Sequence, residues 1–180
     1  GAQGMRRQRP GLAELPLTVF MRRIACVRQW PALLGSLILA GCAATPPACP
    51  YQGPPDIAPS AGCLAVVHGR VLVVSNTEGR VGPPGGSARD SESAQCTAHR
   101  ETFEETGLDL LPRQLLRTID TGFNLYYCEI HSGSGAIEPR SFFEVQRAYW
   151  LPLEDFGRVE WRFPGQGQEL EQMLRAAMAQ

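Results

Sequence analysis

The sequence predicts an α+β domain of about 120 residues, roughly 58–180, long enough for one core. Three observations predict it. Residues 61–76, AGCLAVVHGRVLVVSN, are rich in β-branched and aliphatic side chains, as strands prefer. Residues 92–106 lack Gly and Pro and are bracketed by Gly85-Gly86 and Gly107, which is helix punctuation. The tail GQELEQMLRAAMAQ places Leu170, Met173, Leu174, Ala177 and Met178 at amphipathic helical spacing.

The first stretch divides into two strands, Val66 and Val67 belonging to one and Val71–Val74 to the other, with a turn at His68-Gly69-Arg70. A helix follows, with Gly107 suited to a left-handed C-terminal cap. Residues 123–130 and 142–153 read as further strands, Glu154-Asp155-Phe156 as a short helical turn, and the tail as the second helix. The chain shows no internal repeat.

On the first helix Glu101 and Glu105 stand one turn apart on one face, and Glu104 borders it. Carboxylates roughly 5–6 Å apart repel by about 3 kcal/mol per pair at an effective dielectric near 20. Clustered in a cleft, they call for a cation. Oxygen-only ligands favour a hard ion, Mg²⁺ before Mn²⁺. No His or Cys shares that face at ligand spacing, which argues against zinc. A solvated charged helix face is the plainer alternative for a Glu-Glu pair alone.

The spacing goes further than a pair. Gly86, five residues, Glu92, seven residues, Arg100-Glu101, two residues, Glu104-Glu105, one residue, Gly107 and Leu108 resembles the Nudix box of the Nudix hydrolases. Pro84-Gly85-Gly86 matches the family's approach to the helix, and Trp150-Leu151-Pro152-Leu153 its recurrent strand end. Thr102 stands where the family usually has an aliphatic residue, and it is small enough for a core. The resemblance implies an α/β/α sandwich with a mixed β-sheet between helices. It implies that Glu101 and Glu105 bind metal directly, Glu104 directly or through water, and that Glu104 and Glu105 serve catalysis. Arg100 would orient the glutamates, while Gly86, Glu92 and Gly107 would hold the box in shape. For a general base outside the helix the choice is Glu144, ahead of Glu138 and Glu129. His99, His68 and His131 read as surface residues.

The implied activity is Mg²⁺-dependent hydrolysis of a diphosphate linkage in a nucleoside diphosphate derivative or a related small molecule. The alternative is a membrane-tethered, non-catalytic module that senses a diphosphate, and a third reading is a structural lipoprotein with a coincidental box. Substrate is open. The Ser-Gln-Pro-Trp-Pro array of NADH-type relatives is absent, and the ADP-ribose-type Pro is not at its usual distance. Tyr126 lies near the position of a Tyr in dinucleoside-polyphosphate enzymes, but reads better as core.

Residues 21–42, MRRIACVRQWPALLGSLILAGC, combine Arg22, Arg23 and Arg28 with an apolar run of about ten residues, too short for a comfortable membrane span. Leu39-Ala40-Gly41-Cys42 resembles the bacterial lipobox, which implies acylation of Cys42 and anchorage in the cell envelope. Ala43 follows the Cys, and resemblance to sorted lipoproteins points to the outer membrane, facing the periplasm. A start at Met21 or an extended leader both fit. The expected organisation is a leader over 1–41, a Pro- and Ala-rich tether over 42–57 and the Nudix domain over 58–180. In that compartment free nucleotides are scarce, so lipid-linked and sugar-linked diphosphates join the candidate substrates.

Four further cysteines, Cys49, Cys63, Cys96 and Cys128, suit an oxidising compartment. Three pairings exist. The preferred one joins Cys96 to Cys128 and Cys49 to Cys63, with buried free thiols as the alternative. From Cys42 onward 11 Arg face 17 acidic residues, a formal net charge of −6 against −1 for the whole chain. Such a balance disfavours nucleic acid as a partner. Oligomeric state is not legible.

Overall fold

The computed structural model describes residues 45–140 and 145–178. The expectations for the leader 1–41, for Cys42 and for Glu144 concern residues outside that range. The run expected as two strands forms three: β1 (Ser60–Leu64), β2 (Val66–Val67) and β3 (Arg70–Ser75). His68 and Gly69, at φ 49° and 72°, make the two-residue turn between β2 and β3. Two positive φ values match the twist of an antiparallel hairpin. Arg70 opens β3 rather than closing the turn, because Val67 pairs directly with it. Short strands β4 (Val81–Gly82) and β5 (Gly85–Ser87) lead into helix α1 (Ala94–Thr106). Then come β6 (Leu110–Thr118), β7 (Phe123–Ile130), β8 (Arg147–Pro152), a 3-10 helix over Leu153–Arg158 and α2 (Gln166–Met178).

Two sheets form. One runs β5-β1-β7-β6, with β1 and β7 parallel and its other pairs antiparallel, so it is mixed as expected. The other is built on β3, with β2 and β4 pairing parts of it and β8 pairing its whole length. β6 was not anticipated. Its sequence LLPRQLLRT neither alternates nor avoids Pro, and it pairs β7 through two register shifts around Leu115. Such a strand is tolerated at a sheet edge, where Pro112 costs no central ladder bond.

Period-two alternation splits the core into two layers. Ala61, Cys63, Leu72, Tyr126 and Cys128 face α1, where Ala94 and Ala98 meet them. Leu64, Val71, Val73, Leu125 and Leu151 face the other way, onto Phe156, Leu170 and Leu174. Burying each of the last two leucines stabilises the docking of α2 by roughly 1.5–3 kcal/mol. The result is the α/β/α arrangement that the box implied.

The cysteines pair differently from the preferred scheme. Cys49 is bonded to Cys96 and Cys63 to Cys128. Cys63 and Cys128 lie on the neighbouring strands β1 and β7 and both face α1, with Cα atoms 5.5 Å apart. Cys96 lies in the first turn of α1, where the N-terminal segment passes. That segment is fastened again at Asp56. Its N–H donates to Gln95 Oε1 (3.0 Å), its Oδ2 accepts from Gln95 Nε2 (2.9 Å) and from the Tyr126 hydroxyl (2.7 Å), and its carbonyl accepts from Ala94 N (2.8 Å). The last bond satisfies an N–H that the start of a helix otherwise leaves without a partner.

Candidate active site

Helix α1 owes its limits to its ends. Ser93 caps the start, its Oγ accepting from Cys96 N at 3.3 Å. Gly107 ends it in the left-handed region at φ 76°, its N–H donating to the Phe103 carbonyl. Two more C-terminal carbonyls, those of Thr106 and Glu104, accept from the N–H groups of Glu138 and Arg140. The helix is therefore held rigidly at both ends.

Arg100 organises the face between them. Its side chain is 8% exposed. Nε and Nη2 grip the two oxygens of Glu92, each at 2.9 Å, and Nη2 also donates to the Ser87 carbonyl at 2.8 Å. Nη1 reaches Glu101 at 2.6 Å and Glu104 at 3.1 Å. All five guanidinium N–H donors are thus used. This fork holds the Glu92 carboxyl well below its usual range, at about 2, burial opposing the shift and the Arg89 N–H and Thr97 hydroxyl adding to it. The same bond to Glu92 raises Arg100 further above its ordinary value.

Glu101, Glu104 and Glu105 line one cleft of about 630 Å³ with Gly85, Gly86, Arg89, Arg100 and Arg162. Glu105, 5% exposed, accepts from the Gly85 N–H at 2.8 Å, which ties the helix to β5. Glu104 also accepts from Arg89 Nη2 at 3.0 Å. The donor set fits a hard divalent ion: three carboxylates on one wall, with no nitrogen or sulfur ligand among the lining residues. Among the described residues no three His, Cys, Asp or Glu are gathered tightly enough to hold a metal as they stand, and Glu101 and Glu104 are ion-paired with Arg100 at the cleft wall.

Other candidates fall elsewhere. Glu129 pairs with Arg113 on the edge strand, and Glu138 is exposed beside Arg140; neither lines the cleft. Tyr126 is core, as favoured, and its burial raises the hydroxyl's pKa. Thr102 is buried. His99, expected on the surface, is 1% exposed with Nε2 2.9 Å from Asp109 Oδ1. The loop after α1 folds back over that side of the helix, and the exposed His131 meets the same carboxylate at 3.3 Å. Arg89 and Arg162 are charged lining residues that the sequence analysis missed, because no motif marks them.

A family model described as NUDIX domain matches residues 56–173. Among solved structures, an ADP-ribose pyrophosphatase from Streptococcus suis 89-1591 is similar at 19% identity and TM-score 0.54, over 66% of this chain and 90% of that one. A putative nudix hydrolase family member from Chromobacterium violaceum shares 25% identity over 68% and 80%, TM-score 0.51. An Ap4A hydrolase from C. elegans shares 18% over 68% and 98%, TM-score 0.51. No curated protein is similar enough in sequence to count as a match. The structures below 25% identity speak for the fold, which agrees with the arrangement described above. The family match bears out the expectation of a Nudix domain. With Gly86, Arg100 and the three glutamates of the box brought to one cleft and the family model spanning most of the described fold, this chain belongs to the NUDIX domain family.

Proposed function

We propose that this protein is a Mg²⁺-dependent hydrolase of a diphosphate linkage in a nucleoside diphosphate derivative or related diphosphate, anchored in the cell envelope through lipid on Cys42. One observation carries the catalytic part: Glu101, Glu104 and Glu105 share a cleft walled by the Gly85-Gly86 backbone and organised by Arg100. Three carboxylates alone would repel a diphosphate. Glu101, Glu104 and Glu105 would hold a divalent ion, which when bound would supply charge neutralisation and activation of a water.

The chain's own residues do the positioning. Arg100 keeps Glu101 and Glu104 turned to the cleft, and Glu92 keeps Arg100 in place. The Gly85 N–H holds Glu105 against β5. Glu144 is the base in this reading. The two disulfides suit an oxidising compartment and so favour the envelope.

The test incubates the full chain with Mg²⁺ and a panel of nucleotide sugars, dinucleoside polyphosphates, ADP-ribose and polyprenyl diphosphates, and measures phosphate-containing products. Turnover should fall at least about 100-fold in Glu105→Gln, beyond the cost of losing an outer-shell partner. The Gln can still accept from Gly85, so its Tm should stay close to wild type. Ligand-induced melting shifts with no turnover would leave a binding module. No turnover and no Mg²⁺ or Mn²⁺ uptake by calorimetry would end the hydrolase reading. Mass spectrometry of Cys42 tests the anchor separately.

A further inference from the structure

Three arginines line the carboxylate cleft, and they are not equivalent. Arg100 spends every donor on Glu92, Glu101, Glu104 and the Ser87 carbonyl. Arg89 pairs with Glu104. Among the described residues Arg162 has no ion-pair partner, and its buried Nε has no hydrogen-bond partner. An arginine in that state is costly unless something anionic meets it, because a buried donor left unsatisfied loses its hydration for nothing.

Its position is held by backbone. Arg162 N–H donates to the Val81 carbonyl at 2.9 Å, and Val81 N–H donates to Glu160 at 2.8 Å, so the strap before α2 is laced to β4. The aliphatic part of the side chain passes over Gly82, where an added Cβ would come 3.1 Å from Arg162 Cδ. Arg162 also lines a second cavity, of about 400 Å³, whose other walls include Pro83, Ile119, Phe123, Phe163 and Met173. Gly85 and Arg162 line both spaces. The second cavity is largely apolar, and the charged groups in its lining besides Arg162 are Asp120 and Glu169. Such a lining accepts an uncharged group and disfavours another phosphate.

We infer that Arg162 is a substrate-binding residue that takes the phosphate nearer the apolar cavity and thereby directs an uncharged, largely apolar moiety of the substrate into that cavity. The inference rests on the proposed diphosphate chemistry and adds the substrate's orientation to it. A planar guanidinium binds two phosphate oxygens at once, which fixes direction as well as affinity. The substrate then lies with its diphosphate over the α1 carboxylates and its uncharged end under Phe163.

The experiment uses full-length Arg162→Gln, Arg162→Lys and Gly82→Ala, with steady-state kinetics on the best substrate and calorimetry with methylenediphosphonate, whose P–C–P bridge resists hydrolysis. Arg162→Gln should raise KM about 10- to 100-fold, the usual range for a hydrogen bond to a charged group, and leave kcat nearly unchanged. Methylenediphosphonate affinity should fall in parallel, and Arg162→Lys should recover part of both. Gly82→Ala leaves the charge in place but displaces Arg162, so it should shift KM in the same direction, which keeps the test open if Arg162→Gln folds poorly. Thr121→Trp, at the mouth of the apolar cavity, should raise KM for the substrate and spare methylenediphosphonate. If wild type turns over a diphosphate while Arg162→Gln and Gly82→Ala both keep its KM and analogue affinity, this inference fails alone. If wild type neither hydrolyses nor binds any diphosphate, the underlying function fails with it.

Discussion

The carboxylate of Glu101 occupies the space in which a side chain on Gly86 would stand: an added Cβ would come 2.5 Å from Glu101 Cδ and Oε2. The glycine is there for closeness, not for backbone freedom, since Gly86 is not among the glycines with positive φ. Strand β5 and a helix carrying three carboxylates can touch here only because Gly86 lacks a side chain.

Gly86→Ala follows directly. The clash is with the far end of a flexible side chain, so the fold should survive with a loss of about 1 kcal/mol, the low end for overpacking, or roughly 4 °C in Tm. Glu101 must swing away from Arg100 Nη1 and from the cleft. Turnover should fall about 10-fold or more, as loss of a ligand's positioning does. Kinetics and thermal melting on the same preparation check both halves; unchanged turnover would show that Glu101 does not need its present place.

The parts of this site that were legible share one property: they are local. Glycine brackets and the Glu101, Glu104 and Glu105 face follow from helix punctuation and periodicity within one turn or two. Arg162 was illegible because it reaches the cleft only through the pairing of its strap with β4, a contact across 81 residues' worth of fold that no short pattern records. The disulfides failed for the same reason: Cys63 and Cys128 meet because β1 and β7 are parallel neighbours, which depends on strand order. β6 escaped notice because an edge strand bent by bulges need not alternate. His99 looked exposed because helix spacing cannot show which loops later cover a helix.

Thr102 offers a stability test. Its side chain is fully buried, and its hydroxyl has no partner among the described residues. Valine has nearly the same shape and no group to desolvate. Thr102→Val should therefore stabilise by about 1 kcal/mol, at the lower end of the cost of an unsatisfied buried group, and leave turnover unchanged. Equilibrium denaturation in urea checks it, and a destabilised variant would mean that the hydroxyl is satisfied in solution.

Glu92 makes the fold sensitive to acid. Its carboxyl sits at about 2 when folded against an ordinary 4.5, held there chiefly by the Arg100 fork. A depressed folded value means that ionised Glu92 contributes stability fully above about pH 4.5 and loses it as the pH falls through about 2. Glu92→Gln should be less stable than wild type at pH 7, and the gap between the two should close across that window. A gap that stays constant down to pH 2 would show that the charge of Glu92 is not what Arg100 relies on. Turnover should fall as well, since a loosened Arg100 no longer orients Glu101 and Glu104.

The two disulfides should differ in how they are lost. Cys63 and Cys128 are buried, at 0% and 2% exposure, beneath α1, whereas Cys49 and Cys96 are partly exposed. A thiolate reductant needs access to a sulfur. Under native conditions Cys49–Cys96 should therefore open first, and Cys63–Cys128 only with unfolding. Sequence separations of 47 and 65 residues give each bond about 4 kcal/mol on the loop-entropy account. Opening Cys49–Cys96 removes one of two fastenings of the N-terminal segment and leaves Asp56 bonded to Gln95 and Tyr126. Differential alkylation with mass spectrometry, run at increasing reductant, should show Cys49 and Cys96 labelled while the domain still melts cooperatively at a lower Tm. Labelling of Cys63 and Cys128 first, or of all four together below the unfolding transition, would contradict this order of burial.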